Sequence, residues 1–282
     1  MNAIDELRQS YPLPTLLKVS GARRSTFYYH LARRSRVDKY STAKQEIKVI
    51  FDRHKGRYGY RRIRAELNKT QWQLSGKTVL RLMRCMGLKC NKRGKKYRSF
   101  KPGVALAAPN VLAQNFAACK PNQKWVTDVT EFKVSGKKLC LSPVIDLFNR
   151  EVVAYTQSER PWFGMVQSMV EKAFTLRDGF TNLVLHSDRG WQYLMPNYKK
   201  LLKQHNVTIS MSRKGNCYDN AAAESFFATL KNEMFHGESF DSIEQLKSAI
   251  DDYIHYYNHE RIRLPLGGLS PVEYREHHYP VI

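Results

Sequence analysis

With 282 residues, 42% of them hydrophobic and 12% aromatic, the chain has apolar material for one large domain or two to three small ones, which excludes a disordered chain. Its formal net charge is +22, from 47 Lys and Arg against 25 Asp and Glu, so a polyanionic partner is expected. The opening residues MNAIDELRQSYPLP hold no apolar signal core and no later run could span a bilayer, so a soluble, cytoplasmic protein with no membrane partner is expected.

The charge is unevenly placed. Residues 1–101 hold 27 Lys/Arg and 6 Asp/Glu, a net of +21, whereas residues 102–282 hold 20 and 19, a net of +1. A block that basic binds phosphate backbones through counterion release. A solvated basic face would carry the same charge, but here the cations are interleaved with helical apolar patterns, which favours nucleic-acid binding. Five cysteines form no CxxC pair, and no Cys or His pair is placed to complete a zinc site with Cys85 and Cys90, so reduced thiols are expected.

In chain order, residues 14–34 read as two short helices around Gly21, with Ser25 suited to start the second. That pattern fits a helix-turn-helix or any helical hairpin. The segment AKQEIKVIFDRH carries Ile47, Ile50 and Phe51 at helical spacing, and KGRYGYRRIRAELNK leads into a second helix with Ile63 and Leu67 inside. SGKTVLRLMRCMGL follows as a third. Its stripe is Val79, Leu82, Met83 and Met86, with Lys77, Arg81 and Arg84 on other faces, so it is a candidate recognition helix. The run 89–103, with Lys92, Arg93, Lys95 and Lys96 among its cations, reads as a basic linker on phosphates or a solvated tether.

From about residue 122 the pattern changes to β-rich segments, KWVTDVTEFKV and LCLSPVIDLFNREVVAYTQS, joined by a turn at 135–138. Helical spacing returns over 161–176, NLVLHSD suits a buried strand, and Tyr193–His205 reads as a helix. VTISMS reads as a strand, RKGNCYDN as an open loop, and 221–235 and 242–258 as helices. Strands in sequence followed by alternating helix and strand argue for a mixed α/β sheet with helices on its faces.

Three carboxylates stand out. Asp128 interrupts an apolar strand, where an unpartnered charge is costly. Asp188 ends a strand, at the edge where open α/β sheets bind ligands. Glu224 lies in the first turn of a helix introduced by three alanines. Such hard oxygen ligands suit Mg²⁺, or Mn²⁺ in its place, and phosphodiester chemistry uses two ions about 4 Å apart. Glu131, Asp146 and Asp219 lie near triad positions and could mimic them, with Asp146 the main decoy.

These residues fall in WVTDVTEF, LHSDRGWQY and MSRKGNCYDNAAAESFFATLKNE, which resemble the three catalytic blocks of the integrase-type core in DDE transposases, thirty-five residues separating the second Asp from the Glu. RYGYRRI and YYNHERIRLPLGGLSPVEY are similar to flanking motifs of the second-reading-frame transposases of the IS-three family, and the resemblance spans roughly residues 40–280. It implies an α/β, RNase H-like integrase core, a mixed five-stranded sheet with helices on both faces, preceded by small all-α helix-turn-helix modules. It further implies Asp128, Asp188 and Glu224 as metal ligands, two ions with DNA bound, cleavage at the element's ends by water, and strand transfer by a freed 3′-hydroxyl. Lys231, two helical turns after Glu224, would face the DNA end or remain a solvated lysine.

The segments divide as a candidate helix-turn-helix over 1–38, a basic helical DNA-binding domain and linker over 39–104, the catalytic core over 105–240, and a C-terminal helix and tail over 241–282. His186, two residues before Asp188, reads as a hydrogen-bonding partner of the site or as a satisfied core histidine. Lys214, Gly215, Asn216 and Asn220 occupy the loop before the Glu helix, where DNA binding and, for Asn220, an N-cap are both open. Arg261 and Arg263 fit phosphate contact or interdomain pairing. Expected partners are terminal-repeat and target DNA on the bacterial nucleoid and further copies of the chain. An upstream-frame protein is also implied, because members of this group usually act as a frameshift fusion and no leucine heptad run is present here.

Overall fold

The structure, a computed structural model, describes residues 2–34, 38–90, 108–177, 180–213 and 216–280. Lys92, Arg93, Lys95 and Lys96 of the basic run, and Lys214 and Gly215, lie outside the described residues.

The chain begins with six helices: α1 (Asn2–Leu7), α2 (Leu13–Ser20), α3 (Arg24–Arg34), α4 (Ser41–Arg53), α5 (Tyr60–Leu67) and α6 (Gly76–Cys85). Ile4, Leu17 and Phe27 hold α1–α3 together in a small core. Gly21 ends α2 in the left-handed conformation (φ 66°), which lets the chain reverse into α3. The second helix starts at Arg24, so Ser25 lies inside its first turn rather than capping it. The α4–α6 group has its own core of Ile47, Ile50, Tyr58, Ile63, Leu67, Val79, Leu82 and Met83, with Phe51 and Met86 packed on it. Ser75 caps α6, its hydroxyl accepting the Thr78 N–H at 3.2 Å. Ser75→Ala should cost about 1 kcal/mol of stability, read from the urea midpoint; an unchanged midpoint would show that the cap does not matter.

The strands are β1 (Lys124–Thr127), β2 (Thr130–Val134), β3 (Lys137–Asp146), β4 (Val152–Ser158), β5 (Val184–Ser187) and β6 (Thr208–Met211). The expected five strands become six segments, and the reason is local. β1 and β2 both pair antiparallel with β3 in one register, from Trp125↔Asp146 through Thr130↔Leu141 to Val134↔Lys137, so they are one strand broken at Asp128 and Val129. That register sets Asp128 opposite Pro143, which has no N–H to give the ladder. The Asp128 side chain also takes the Val129 N–H, at 2.7 Å. Across the sheet, β4 pairs with β3, the broken β1/β2 strand follows, and β5 and β6 continue parallel to β1.

Both faces are covered by helices, and alternate side chains supply the two cores. Val126, Phe132, Leu139, Leu141 and Ile145 pack under α10 (Ala221–Leu230) and α11 (Ile243–His259). Trp125, Val144, Ala154 and Leu185 pack on the other face, under α7 (Phe163–Leu176) and α9 (Pro196–Gln204). The helix expected over 193–205 is cut by Met195 and Pro196 into α8 (Trp191–Leu194) and α9, since Pro suits only a first turn. The stretch expected as an open loop closes in a 3-10 turn at Cys217–Asn220, and α12 (Pro271–His278), begun by a capping box at Ser270 and Glu273, ends the fold. Among the described residues Cys85, Cys119 and Cys140 are free thiols, and the Cys90 thiol donates to the Arg57 carbonyl at 3.1 Å. Among the described residues no helix is long and apolar enough to cross a membrane.

Candidate active site

β1 and β5 are adjacent and parallel, with Lys124 opposite Val184 and Val126 opposite His186. Continued by two residues, that register sets Asp128 beside Asp188 at the carboxyl ends of both strands. Neighbouring strands lie about 4.8 Å apart, so two acidic side chains are forced together at the sheet's ligand-binding edge. Both are half-buried. Burial and the Asp188 charge push the Asp128 carboxyl up to about 7, and burial raises Asp188 as well. Each is held by one backbone amide: Val129 N–H on Asp128 Oδ1, and Gly190 N–H on Asp188 Oδ1 at 2.8 Å. A side chain at 190 would begin 2.9 Å from Asp188 Oδ1, so glycine is what lets the chain turn this closely around the carboxylate.

α10 packs against β1 with Ala223 fully buried, so small residues bring the helix start close to the aspartates. Asn220, immediately before it, makes no cap bond of its own; its Nδ2 donates to Asp128 Oδ2 at 2.8 Å. Glu224 follows in the first turn. It is exposed to solvent, surrounding protein pushes its carboxyl up, and its charge is the weakest of those raising Asp128. Among the described residues no salt bridge reaches any of the three carboxylates, and no three His, Cys, Asp or Glu side chains form a ready ion-holding group. The donor set is nevertheless right for a hard divalent cation: two mutually repelling carboxylates and a third on the adjoining helix.

Residues 118–217 and 224–279 match models of the integrase core domain, and residues 39–96 match the HTH-like domain. The InsK protein of insertion sequence element IS150 from Escherichia coli K12 is 51% identical over 279 residues, covering 99% of both chains. The transposase InsF of insertion sequence IS3A from the same organism is 35% identical over 281 residues, covering 96% of both. The chain belongs to the insertion-sequence transposase family. The catalytic core domain of HTLV-2 integrase, solved in complex with magnesium, is 18% identical and aligns over 56% of this chain and 99% of its own with a TM-score of 0.46.

The other acids of the transposase separate cleanly from the pair. Asp146 ends β3, is pushed up to about 6 by burial, and accepts the Asn122 and Phe148 amides at 2.7 and 2.8 Å; it shapes a turn. Glu131 points outward to Lys138 at 3.1 Å. Asp219 is fully buried and acts as a hub. It accepts from the Arg213 amide and guanidinium, from Asn110 Nδ2 at 2.9 Å and from Gln114 Nε2 at 3.0 Å. The Arg213 contact holds its carboxyl well below the usual range. Sequence reading marked Asp219 only as a mimic of the triad, because its donors at 110 and 114 are remote in the chain.

His186 is buried between two serines of the neighbouring strand segment, with Nδ1 2.8 Å from Ser210 Oγ and Nε2 3.1 Å from Ser212 Oγ, and burial lowers it to about 4. Both ring nitrogens are thereby taken, so the ring is not brought to Asp188. Lys231 turns inward, donating to the Glu131 carbonyl at 3.1 Å with its ammonium over the Phe132 ring. Lys77, Arg81 and Arg84 are exposed on α6, Arg81 lying over Tyr40. Lys77 also lines a 580 Å³ cleft with Arg61, Arg64 and Tyr60 of α5, a basic concavity that the helix-by-helix sequence reading did not assemble.

Proposed function

We propose that the transposase cuts the ends of its element and joins them to target DNA at one metal-dependent site formed by Asp128, Asp188 and Glu224. The observation that carries this reading is the register that sets Asp128 beside Asp188 at the ends of adjacent parallel strands, with the start of the Glu224 helix bonded to Asp128 through Asn220. Mg²⁺, or Mn²⁺ in its place, would supply an activated oxygen nucleophile and a stabilised leaving oxygen. The protein's own part is to aim the carboxylates. Val129 and Gly190 amides each occupy one oxygen lobe, Asn220 fixes the rotation of Asp128, and buried Tyr193, whose hydroxyl lies 3.5 Å from Thr127 Oγ1, walls the floor against water. Burial of like charges keeps the pair short of a cation, which is what a phosphodiester-bound ion supplies.

DNA is the partner in this reading. The exposed cations of α6 and the basic cleft beside Tyr60 lie on the HTH-like module, and the near-neutral core would depend on that module to gather the duplex. Joining two ends of one element to a target calls for more than one core, so the active form is an oligomer on DNA. The test is a joining assay with purified full-length chain, Mg²⁺ or Mn²⁺, and duplexes carrying an element end. Asp128→Asn, Asp188→Asn and Glu224→Gln should each fold and join nothing. Joining by the triple variant would refute the site, and cleavage without joining would make the chain a nuclease.

A further inference from the structure

The RYGYRRI segment and the HERIR segment meet on the far end of the Glu224 helix. Immediately after α10 the helix widens into a π turn, Lys231–Phe235, and such turns recur at functional places in helices. The turn carries Glu233 into contact with three other parts of the chain. Arg261 grips its carboxylate with two bonds of 2.7 Å, Tyr253 of α11 donates to it at 3.0 Å, and Arg62 of α5 reaches it at 3.4 Å. Arg57, just before α5, donates to the Glu233 carbonyl at 3.0 Å and lies over the Tyr253 and Tyr256 rings. Behind this, His54 stacks on Tyr58 at 3.7 Å and bonds Tyr256 at 3.0 Å, while the Tyr58 hydroxyl accepts the Ile262 N–H at 2.9 Å. Arg261 is only 4% exposed.

A buried ion pair adds little stability over an apolar contact of the same shape, but its direction is demanding. Glu233 is joined to Glu224 by continuous helix, and the same π turn ties Lys231 to β2. α10 is therefore fixed at its start by Asn220 on Asp128 and at its end by a grip that belongs largely to the HTH-like module and the tail. We propose that Glu233 is a positioning residue: seating of the α4–α6 module through Arg57 and Arg62, and of the tail through Arg261, sets the placement of α10, and with it Glu224 over the aspartate pair. The DNA-gathering half of the transposase then controls whether the third carboxylate is in place. This rests on the triad reading above.

The experiment titrates Mn²⁺ into the full-length chain without DNA, alongside thermal unfolding and the kcat and KM of joining, for Glu233→Gln, Arg62→Ala and Arg62→Lys. Arg62 is partly exposed and its pair is the longest of the set, so its variants should fold. Expected is a fall in Mn²⁺ affinity and kcat of about ten- to hundredfold, the size of effect a displacement near 1 Å produces, with KM for DNA little changed and Arg62→Lys recovering part of the loss. A purely structural grip would lower the melting temperature and leave Mn²⁺ affinity and kcat of the folded protein at wild-type values, which overturns the proposal. If wild-type Mn²⁺ binding is itself insensitive to Asp188→Asn, the triad reading fails first and this inference falls with it.

Discussion

Asp128→Asn should abolish DNA joining and yet make the metal-free transposase more stable at pH 8. Joining is lost because Asn cannot supply the negative oxygen that a hard cation needs. The stability gain follows from the site's electrostatics. The folded Asp128 carboxyl keeps its proton up to about pH 7, because it is buried and because Asp188 lies beside it, whereas the ordinary value is 3.8. Unfolding above pH 4 therefore releases a proton, so stability falls as pH rises. The contribution is fully present below pH 4, is lost as pH passes through 7, and is flat beyond. Asn is neutral throughout and escapes the loss. The gain at pH 8 should be about 1–3 kcal/mol, or about 2–4 °C in Tm for each kcal/mol in a protein of this size. Asp146, also raised by burial, adds a similar slope to both chains and cancels in the difference. Thermal unfolding at pH 5 and pH 8 without metal checks this; an Asn variant less stable than wild type at pH 8 would show that the pair is not strained. Added Mg²⁺ should stabilise the wild type at pH 8 and leave the variant unchanged.

Asp219→Ala should be damaging in the opposite way, through the fold. Removing this carboxylate strands the Arg213 amide and the side chains of Asn110 and Gln114 around a buried hole. Unsatisfied donors cost about 1–3 kcal/mol each, and because Arg213 can turn to water a net loss of about 2–4 kcal/mol is expected. The 3-10 turn that Asp219 anchors also carries Asn220, so joining per folded molecule should drop with it. Since Arg213 depresses the Asp219 carboxyl, its stabilisation is present above about pH 4 and is lost as pH falls through the still lower folded value. The difference between wild type and variant in urea unfolding should therefore shrink in acid. A constant difference would place the effect in packing rather than in the charge.

Much of this was legible in the sequence. The apolar strand that Asp128 interrupts, the apolar run that Asp188 ends and the alanines before Glu224 mark the three positions of the proposed site in the sequence. Helical spacing over 42–88 gave the stripe that forms the α4–α6 core. What was hidden depended on partners in space. Nothing in KWVTDVTEFKV marks a broken strand, because the missing N–H belongs to Pro143 across the hairpin. His186 shares a strand with the residue before Asp188, but its ring is taken by serines 24 and 26 positions later. Lys231 keeps helical dihedrals two turns after Glu224 (φ −61°, ψ −39°), but its ammonium is drawn to the Glu131 carbonyl and the Phe132 ring, partners remote in the chain. Glu233 carries no signal of its own in the sequence, and Arg261, open there to phosphate contact or interdomain pairing, takes up the pairing once the tail folds back over the helix.

The central claim, that Asp128, Asp188 and Glu224 together hold divalent cations, is tested most directly by anomalous diffraction from crystals of the full chain soaked in Mn²⁺. The account predicts a peak between the Asp128 and Asp188 carboxylates with Glu224 turned towards it, lost in Asp188→Asn. Ordered Mn²⁺ held elsewhere, with the aspartate pair left bare, would contradict it.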